Sequence, residues 1–233
     1  YYYNGRLKFE GEYLNGKKWN GKGYDRKKRK KVKYEIKEGN CKNVSEYCKD
    51  DKISYKGEYK NGRRDGRGEE YHIIRGVNNG KLKFRGSYLN GRRHGEGKRY
   101  DAYDNLLFEG EYLYGRKWNV KIYNIHNNKI TSEIKNGKGI IKKFNAFNEL
   151  YYEKEYLNGL KNGNMKYYDG DNLSFQVEYV NGKKNGLGKE YNDMGKLVFE
   201  GEYLYDHRIR GKEYVNGRLE YEGEYLYDKK FNG

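Results

Sequence analysis

From Leu7 to Leu14, LKFEGEYL, apolar and charged positions alternate, so an extended chain places Leu7, Phe9, Gly11 and Tyr13 on one face and Lys8, Glu10 and Glu12 on the other. This period of two predicts a strand with one buried face. It runs into Asn15-Gly16, a pair suited to the positive φ that a tight hairpin turn requires. A Gly-x-Gly segment, Gly21-Lys22-Gly23, then leads to a second strand carrying Tyr24. The block predicts a β-hairpin, joined to the next through a second turn such as Asn4-Gly5, Asn79-Gly80 or Asn216-Gly217.

The block repeats. It is clearest at Tyr55–Tyr71, YKGEYKNGRRDGRGEEY, and returns as FRGSYLNGRRHGEGKRY at Phe84–Tyr100 and FQVEYVNGKKNGLGKEY at Phe175–Tyr191. Ten units are anchored at Phe9, Val32, Tyr55, Phe84, Phe108, Ile130, Tyr152, Phe175, Phe199 and Tyr221, at spacings of 22 to 29 residues. A period in this range predicts an array whose units bury their apolar faces only against their neighbours. The expected fold is all-β: one continuous array over residues 1–233, an elongated single-layer antiparallel sheet of about twenty strands, with no helical domain. At about 4.8 Å per strand, ten hairpins make a ribbon of roughly 100 Å, twisted and curved into a shallow groove. Glycines inside the strands leave room for aromatic rings from the adjoining hairpin, so two rows of rings over glycine backbone are expected.

Some units depart from the pattern. Those anchored at Val32 and Ile130 carry Ile36 and Ile134 where the others carry Tyr, and Asp206 and Asp228 replace the turn glycine late in the chain. Aspartate tolerates the left-handed backbone, so both turns are expected to survive.

Hydrophobic residues make up 34% of the chain and 29 residues are Tyr, so the amphipathic tyrosine takes the place of an aliphatic core. There is no proline to mark a linker, and no apolar run long enough to cross a membrane as a helix. The chain opens and closes inside repeat units, which implies a fragment of a longer protein.

The net charge of +16 concentrates after the turns, at Lys17-Lys18, Arg63-Arg64, Arg92-Arg93, Arg116-Lys117, Lys161, Lys183-Lys184, Arg208 and Lys229-Lys230. On one edge of a sheet these residues form a basic rail that either meets an anionic partner or protects the edge from pairing. A sharper feature is the unbroken run Arg26, Lys27, Lys28, Arg29, Lys30 and Lys31, suited to an anionic surface. Nucleic acid ranks below a membrane or an acidic protein, because no groove-reading or single-strand-binding motif accompanies the charge. A glutamate precedes the recurring Tyr in nine units, and each is expected to pair with a Lys or Arg on the neighbouring strand. A repeated column offers like environments, not the unlike pair that acid/base catalysis needs. Cys41 and Cys48 lack metal-ligand spacing, and the four histidines are scattered over different units. No catalytic site, metal or cofactor is expected, and whether the two cysteines pair stays open.

The pattern aromatic-x-Gly-Glu-Tyr-x-Asn-Gly-Lys/Arg-x-x-Gly-x-Gly resembles the MORN (membrane occupation and recognition nexus) repeat family over essentially the whole chain. The resemblance implies a non-catalytic scaffold of cytoskeletal, ciliary or membrane-associated assemblies, cytoplasmic in location. Its groove would hold an extended or helical partner segment, acidic or amphipathic, on a floor made by Tyr59, Tyr88, Tyr112, Tyr179 and Tyr203. Alternatives are an adaptor that binds anionic phospholipid through basic residues, and the regulatory array of an enzyme whose catalytic domain lies outside this stretch. Unpaired strand edges at both ends also make self-association an expected partner mode.

Overall fold

A computed structural model describes residues 1–2, 5–25, 27–28, 31–48, 52–73 and 80–233. Among them are twenty strands and no helix. The strands form two compact units, Tyr1–Gly115 and Arg116–Gly233. The first contains β1 (Phe9–Leu14), β2 (Lys17–Tyr24), β3 (Val32–Ile36), β4 (Cys41–Tyr47), β5 (Ile53–Lys60), β6 (Arg63–Tyr71), β7 (Leu82–Leu89), β8 (Arg92–Tyr100) and β9 (Leu106–Leu113). The second contains β10 (Arg116–Tyr123), β11 (Ile130–Lys135), β12 (Lys138–Phe144), β13 (Leu150–Leu157), β14 (Leu160–Asp169), β15 (Asn172–Val180), β16 (Lys183–Tyr191), β17 (Leu197–Leu204), β18 (His207–Val215), β19 (Arg218–Leu226) and β20 (Lys229–Asn232). Within each unit the strands pair antiparallel in chain order, as a single layer. In the first unit, β1 to β3 form their own sheet, and only the Lys37–Asn40 bridge follows before β4.

The hairpins close as their sequence predicts. Asn15-Gly16, Asn61-Gly62, Asn90-Gly91, Asn181-Gly182 and Asn216-Gly217 all take positive φ at both positions, the backbone of a turn whose twist matches the strands. Tyr205-Asp206 and Tyr227-Asp228 do the same without glycine. Each aspartate gains a bond that glycine cannot make: Lys184 N–H donates to Asp206 at 2.8 Å, and Arg208 N–H donates to Asp228 at 2.7 Å. The turns are also stitched to one another. Gly91 N–H donates to Arg64 C=O at 2.8 Å, Gly115 N–H to Arg93 C=O at 2.7 Å, and Gly182 N–H to Lys161 C=O at 2.8 Å. Successive tips therefore stack on one edge. The expected wide turn after Tyr71 falls largely at residues 74–79, and the turn at Asn79-Gly80 begins there too; both lie outside the described residues, as does Asn4.

The Gly-x-Gly segment proves to be part of the return strand, not a lead into it. Return strands start directly after the turn and most absorb the mismatch as a bulge: in β5–β6 Tyr59 faces Arg64, yet Gly57 faces Gly68, so the return side is two residues longer. The first glycine of the segment sits in that bulge. Gly66 has φ +83, with the Glu58 carboxyl carbon 2.8 Å from where its Cβ would stand. This corrects the expectation for the glutamate column. Glu58, Glu155 and Glu178 accept bulge N–H groups, from Arg67 at 3.3 Å, Asn164 at 3.1 Å and Leu187 at 3.2 Å. Glu202, by contrast, pairs with Arg210 on the neighbouring strand at 2.5 Å. The bulge amides have no ladder partner, and the nearest acceptor takes them.

The second glycine of the segment lies under a ring. The Cβ of any larger residue at Gly211 would fall 2.7 Å from Cε2 of Phe199 and 2.6 Å from the Glu200 carbonyl. Rings laid across the strands in this way make the core. In the first unit Tyr55, Phe84, Tyr88 and Tyr112 are buried together, and in the second Met165, Val177, Tyr179, Phe199, Tyr203 and Tyr225 are. Ring contacts run edge to face, with Phe84 5.4 Å from Tyr112 and Tyr55 5.4 Å from Tyr88, the arrangement that aromatic quadrupoles favour.

Candidate functional site

The aromatic face carries a second layer above the rings. A two-residue turn sets its composition: the first residue of the return strand pairs with the residue ending the outgoing strand, and the second pairs with the recurring Tyr and shares its face. The second basic residue of each doublet thus lies over a ring. The Arg64 guanidinium is 4.1 Å from the Tyr55 ring centre, Arg93 4.1 Å from Phe84, and Arg208 4.0 Å from Phe199. Lys18 and Lys184 sit 4.6 and 4.5 Å above Phe9 and Phe175. The predicted basic rail is therefore split. Arg63, Arg92 and Lys183 stay exposed on the tips, whereas their neighbours cap the core.

A glutamate on the return strand, opposite the aromatic anchor of the next hairpin, neutralises the capping arginines. Glu70 accepts from Arg93 Nη2 at 2.7 Å and Nε at 3.2 Å, and from the Tyr88 hydroxyl at 2.7 Å. Glu46 does the same for Arg64, at 2.6 and 2.8 Å, and for Tyr59 at 2.5 Å. Glu190 takes Arg208 at 2.7 Å and the Tyr203 hydroxyl, and Glu213 takes Arg208 and Lys230 at 3.1 and 2.9 Å. Burial alone would push the Glu70 carboxyl up, but the Arg93 and Tyr88 hydrogen bonds hold it below the usual carboxylate range. Sequence reasoning missed these four glutamates. Their signal is the Glu-Tyr pair that closes a return strand, at 46-47, 70-71, 190-191 and 213-214. The position is basic in two strands, as Arg99 in β8 and Lys143 in β12. Next to Arg99 the Tyr112 hydroxyl is buried with no acceptor.

The five tyrosines expected to floor a groove do line this face, as packed rings. Tyr88, Tyr112, Tyr179 and Tyr203 are 2 to 7% exposed and Tyr59 is partly buried, so the cationic layer is what a partner would meet. The open concavities are on the opposite face. In the second unit a trough of about 860 Å3 has Gly188, Gly201, Gly211 and Gly223 as its floor. Its walls are cross-strand pairs, Lys189–Glu200 and Lys212–Glu222, each at 3.3 Å, and Arg210–Glu202. In the first unit Gly57, Gly68 and Gly86 floor a similar groove of about 600 Å3, walled in part by Arg85–Glu69 at 2.8 Å. The two faces have one cause: a glycine covered by a ring on one side leaves bare backbone on the other.

Of the basic run, Arg26, Arg29 and Lys30 lie outside the described residues, while Lys27, Lys28 and Lys31 are within them. Lys27 and Lys28 donate their backbone N–H groups to Asp25 at 2.7 and 2.9 Å, which depresses the Asp25 carboxyl, and Arg6 donates to the Lys27 carbonyl at 2.8 Å. Cys41 and Cys48 are free thiols, not a disulfide. Among the described residues no three His, Cys, Asp or Glu side chains converge on a metal-sized site, and no helix is long and apolar enough to cross a membrane. The chain matches no family model and no curated protein.

Proposed function

We propose that this chain is a MORN-like, non-catalytic scaffold that holds an extended or helical segment of a partner protein along its glycine-floored face. The observation that carries the reading is the trough of about 860 Å3 across β14 to β19. Its floor offers backbone close to the ligand, its walls alternate in charge, and Leu187, 63% exposed, stands inside it as an apolar contact. Such a surface suits a polar segment with one apolar anchor. Against chemistry, the half-buried carboxylates Glu46, Glu70, Glu190 and Glu213 on the aromatic face are each engaged by Arg, Lys or Tyr, which leaves none of these four poised as a base.

The test is a crosslinking pull-down from native extract, comparing the intact chain with Leu187→Asp/Arg210→Glu. A defined protein recovered by the first and lost by the second supports the reading. Equal recovery by both, or no protein recovered by either, overturns it.

A further inference from the structure

The aromatic face of the second unit has a gap in its charge pattern. In four return strands a glutamate bridges a base two strands on, and for Glu46, Glu70 and Glu190 it also takes the hydroxyl of the tyrosine on the strand between. At the same place in β12 stands Lys143, opposite Tyr152, as Glu70 stands opposite Phe84. The other two members of the arrangement are present. Tyr156 faces Lys161 in the register that Tyr88 has with Arg93. Burial raises the Tyr156 hydroxyl to about 12, with the nearby Tyr152 and Tyr167 adding to the effect.

A second substitution adds another cation. Lys154 occupies the strand position held by Gly57, Gly86, Gly110, Gly201 and Gly223 in other hairpins. Its ammonium lies 3.6 Å from the Tyr152 ring centre and 4.6 Å from that of Tyr167, while Lys143 lies 5.9 Å from Tyr152. Burial pulls Lys154 down to about 8, and Lys143 pulls the same way. Among the described residues, Lys143, Lys154 and Lys161 have no carboxylate partner. Lys143 and Lys154 thus lie over the Tyr152 ring, and Lys161 pairs across the strands with Tyr156 with its ammonium 5.3 Å from the Tyr179 ring, at the register where other hairpins hold a carboxylate.

We infer that the aromatic face across β12 to β14 is a receptor for a carboxylate of an acidic partner peptide, which supplies the glutamate that this hairpin lacks. The geometry of the neighbouring hairpins defines the ligand: a side-chain carboxylate, accepting from the Tyr156 hydroxyl and from Lys161 and Lys143, with tyrosine rings beneath. Lys143 is exposed, so the site is open to a partner. This site lies on the face opposite the trough and stands or falls separately from it.

The test uses the whole chain and a fluorescein-labelled octaglutamate peptide, read by anisotropy at physiological salt. Lys143→Glu fills the site from within, and Lys60→Glu changes the net charge equally at an exposed tip of the first unit. Losing a charge-assisted hydrogen bond and gaining an internal competitor should weaken binding about tenfold or more in Lys143→Glu. Lys60→Glu should change it by no more than about twofold. Lys143→Glu should also melt at or above the parent temperature, which separates loss of the site from loss of fold. Equal weakening by the two variants overturns the inference and leaves general attraction to a basic protein. Displacement of the peptide by inorganic phosphate at matched concentration overturns it in favour of a phosphate site. Binding that survives Leu187→Asp/Arg210→Glu shows that this site works without the trough.

Discussion

Removing the Glu70 carboxylate separates two kinds of ion pair that the sequence alone does not distinguish. Glu70 and Arg93 are 17 and 18% exposed, and Glu70 also accepts from Tyr88. Glu70→Ala leaves a guanidinium and a hydroxyl largely desolvated above the Phe84 ring. Breaking a buried pair costs about 3–5 kcal/mol, and residual exposure here places the expectation at the lower end, about 3 kcal/mol. Glu202→Ala removes a pair of comparable length on the opposite face, where Arg210 is 67% exposed and water replaces the lost partner, so its urea midpoint should match the parent. The assay is urea unfolding followed by circular dichroism, with slopes compared to confirm that stability alone has changed. An Arg93→Met cycle should return a coupling of about 2 kcal/mol between positions 70 and 93. The pH dependence follows from sign. Hydrogen bonds hold the folded Glu70 carboxyl below its unfolded value, so its contribution is complete above the unfolded value and lost as pH falls through the folded one. The gap between parent and Glu70→Ala should therefore close in acid. Equal losses from Glu70→Ala and Glu202→Ala, or a gap that stays constant down to pH 2, would refute the reasoning.

Three further outcomes follow from the same geometry. Gly211→Ala forces a methyl against the Phe199 ring and should cost about 1–3 kcal/mol by thermal melting, whereas Gly182→Ala, in open space at φ +91, should lose only about 1 kcal/mol of backbone strain. Because folding lowers the Lys154 ammonium to about 8, the unfolded chain binds the extra proton above that pH, so parent stability should rise from pH 8 to 10 relative to Lys154→Gly; a parallel pair of curves would rule this out. Phe84→Ala should cost about 3–5 kcal/mol and release Tyr88 and Tyr112 together, visible as faster amide exchange in β7 to β9; protection confined to the parent level would count against a shared ring stack.

The sequence by itself determined the all-β class, the hairpin unit, the positions of the turns and the placing of rings over glycines. These are local: a period of two, a dipeptide that tolerates positive φ, and a missing Cβ act within one hairpin or between neighbours. It also carried the turn aspartates correctly, since left-handed tolerance belongs to the residue. Tertiary structure decided what each charge does. Arg63 and Arg64 are adjacent and chemically identical, yet one is a solvated tip and the other a lid over Tyr55, because a two-residue turn sends successive side chains to opposite faces. Glu58 and Glu70 look equally suited to cross-strand pairing, but one serves a bulge amide and the other binds Arg93 from a strand two places on. The five tyrosines expected as a groove floor are packed rings in the structure, Tyr59, Tyr88 and Tyr112 within the first unit and Tyr179 and Tyr203 within the second. Whether a ring is exposed depends on the cation that the adjacent strand lays across it and on the glutamate two strands away that holds the capping arginine in place, and no local pattern records that distance.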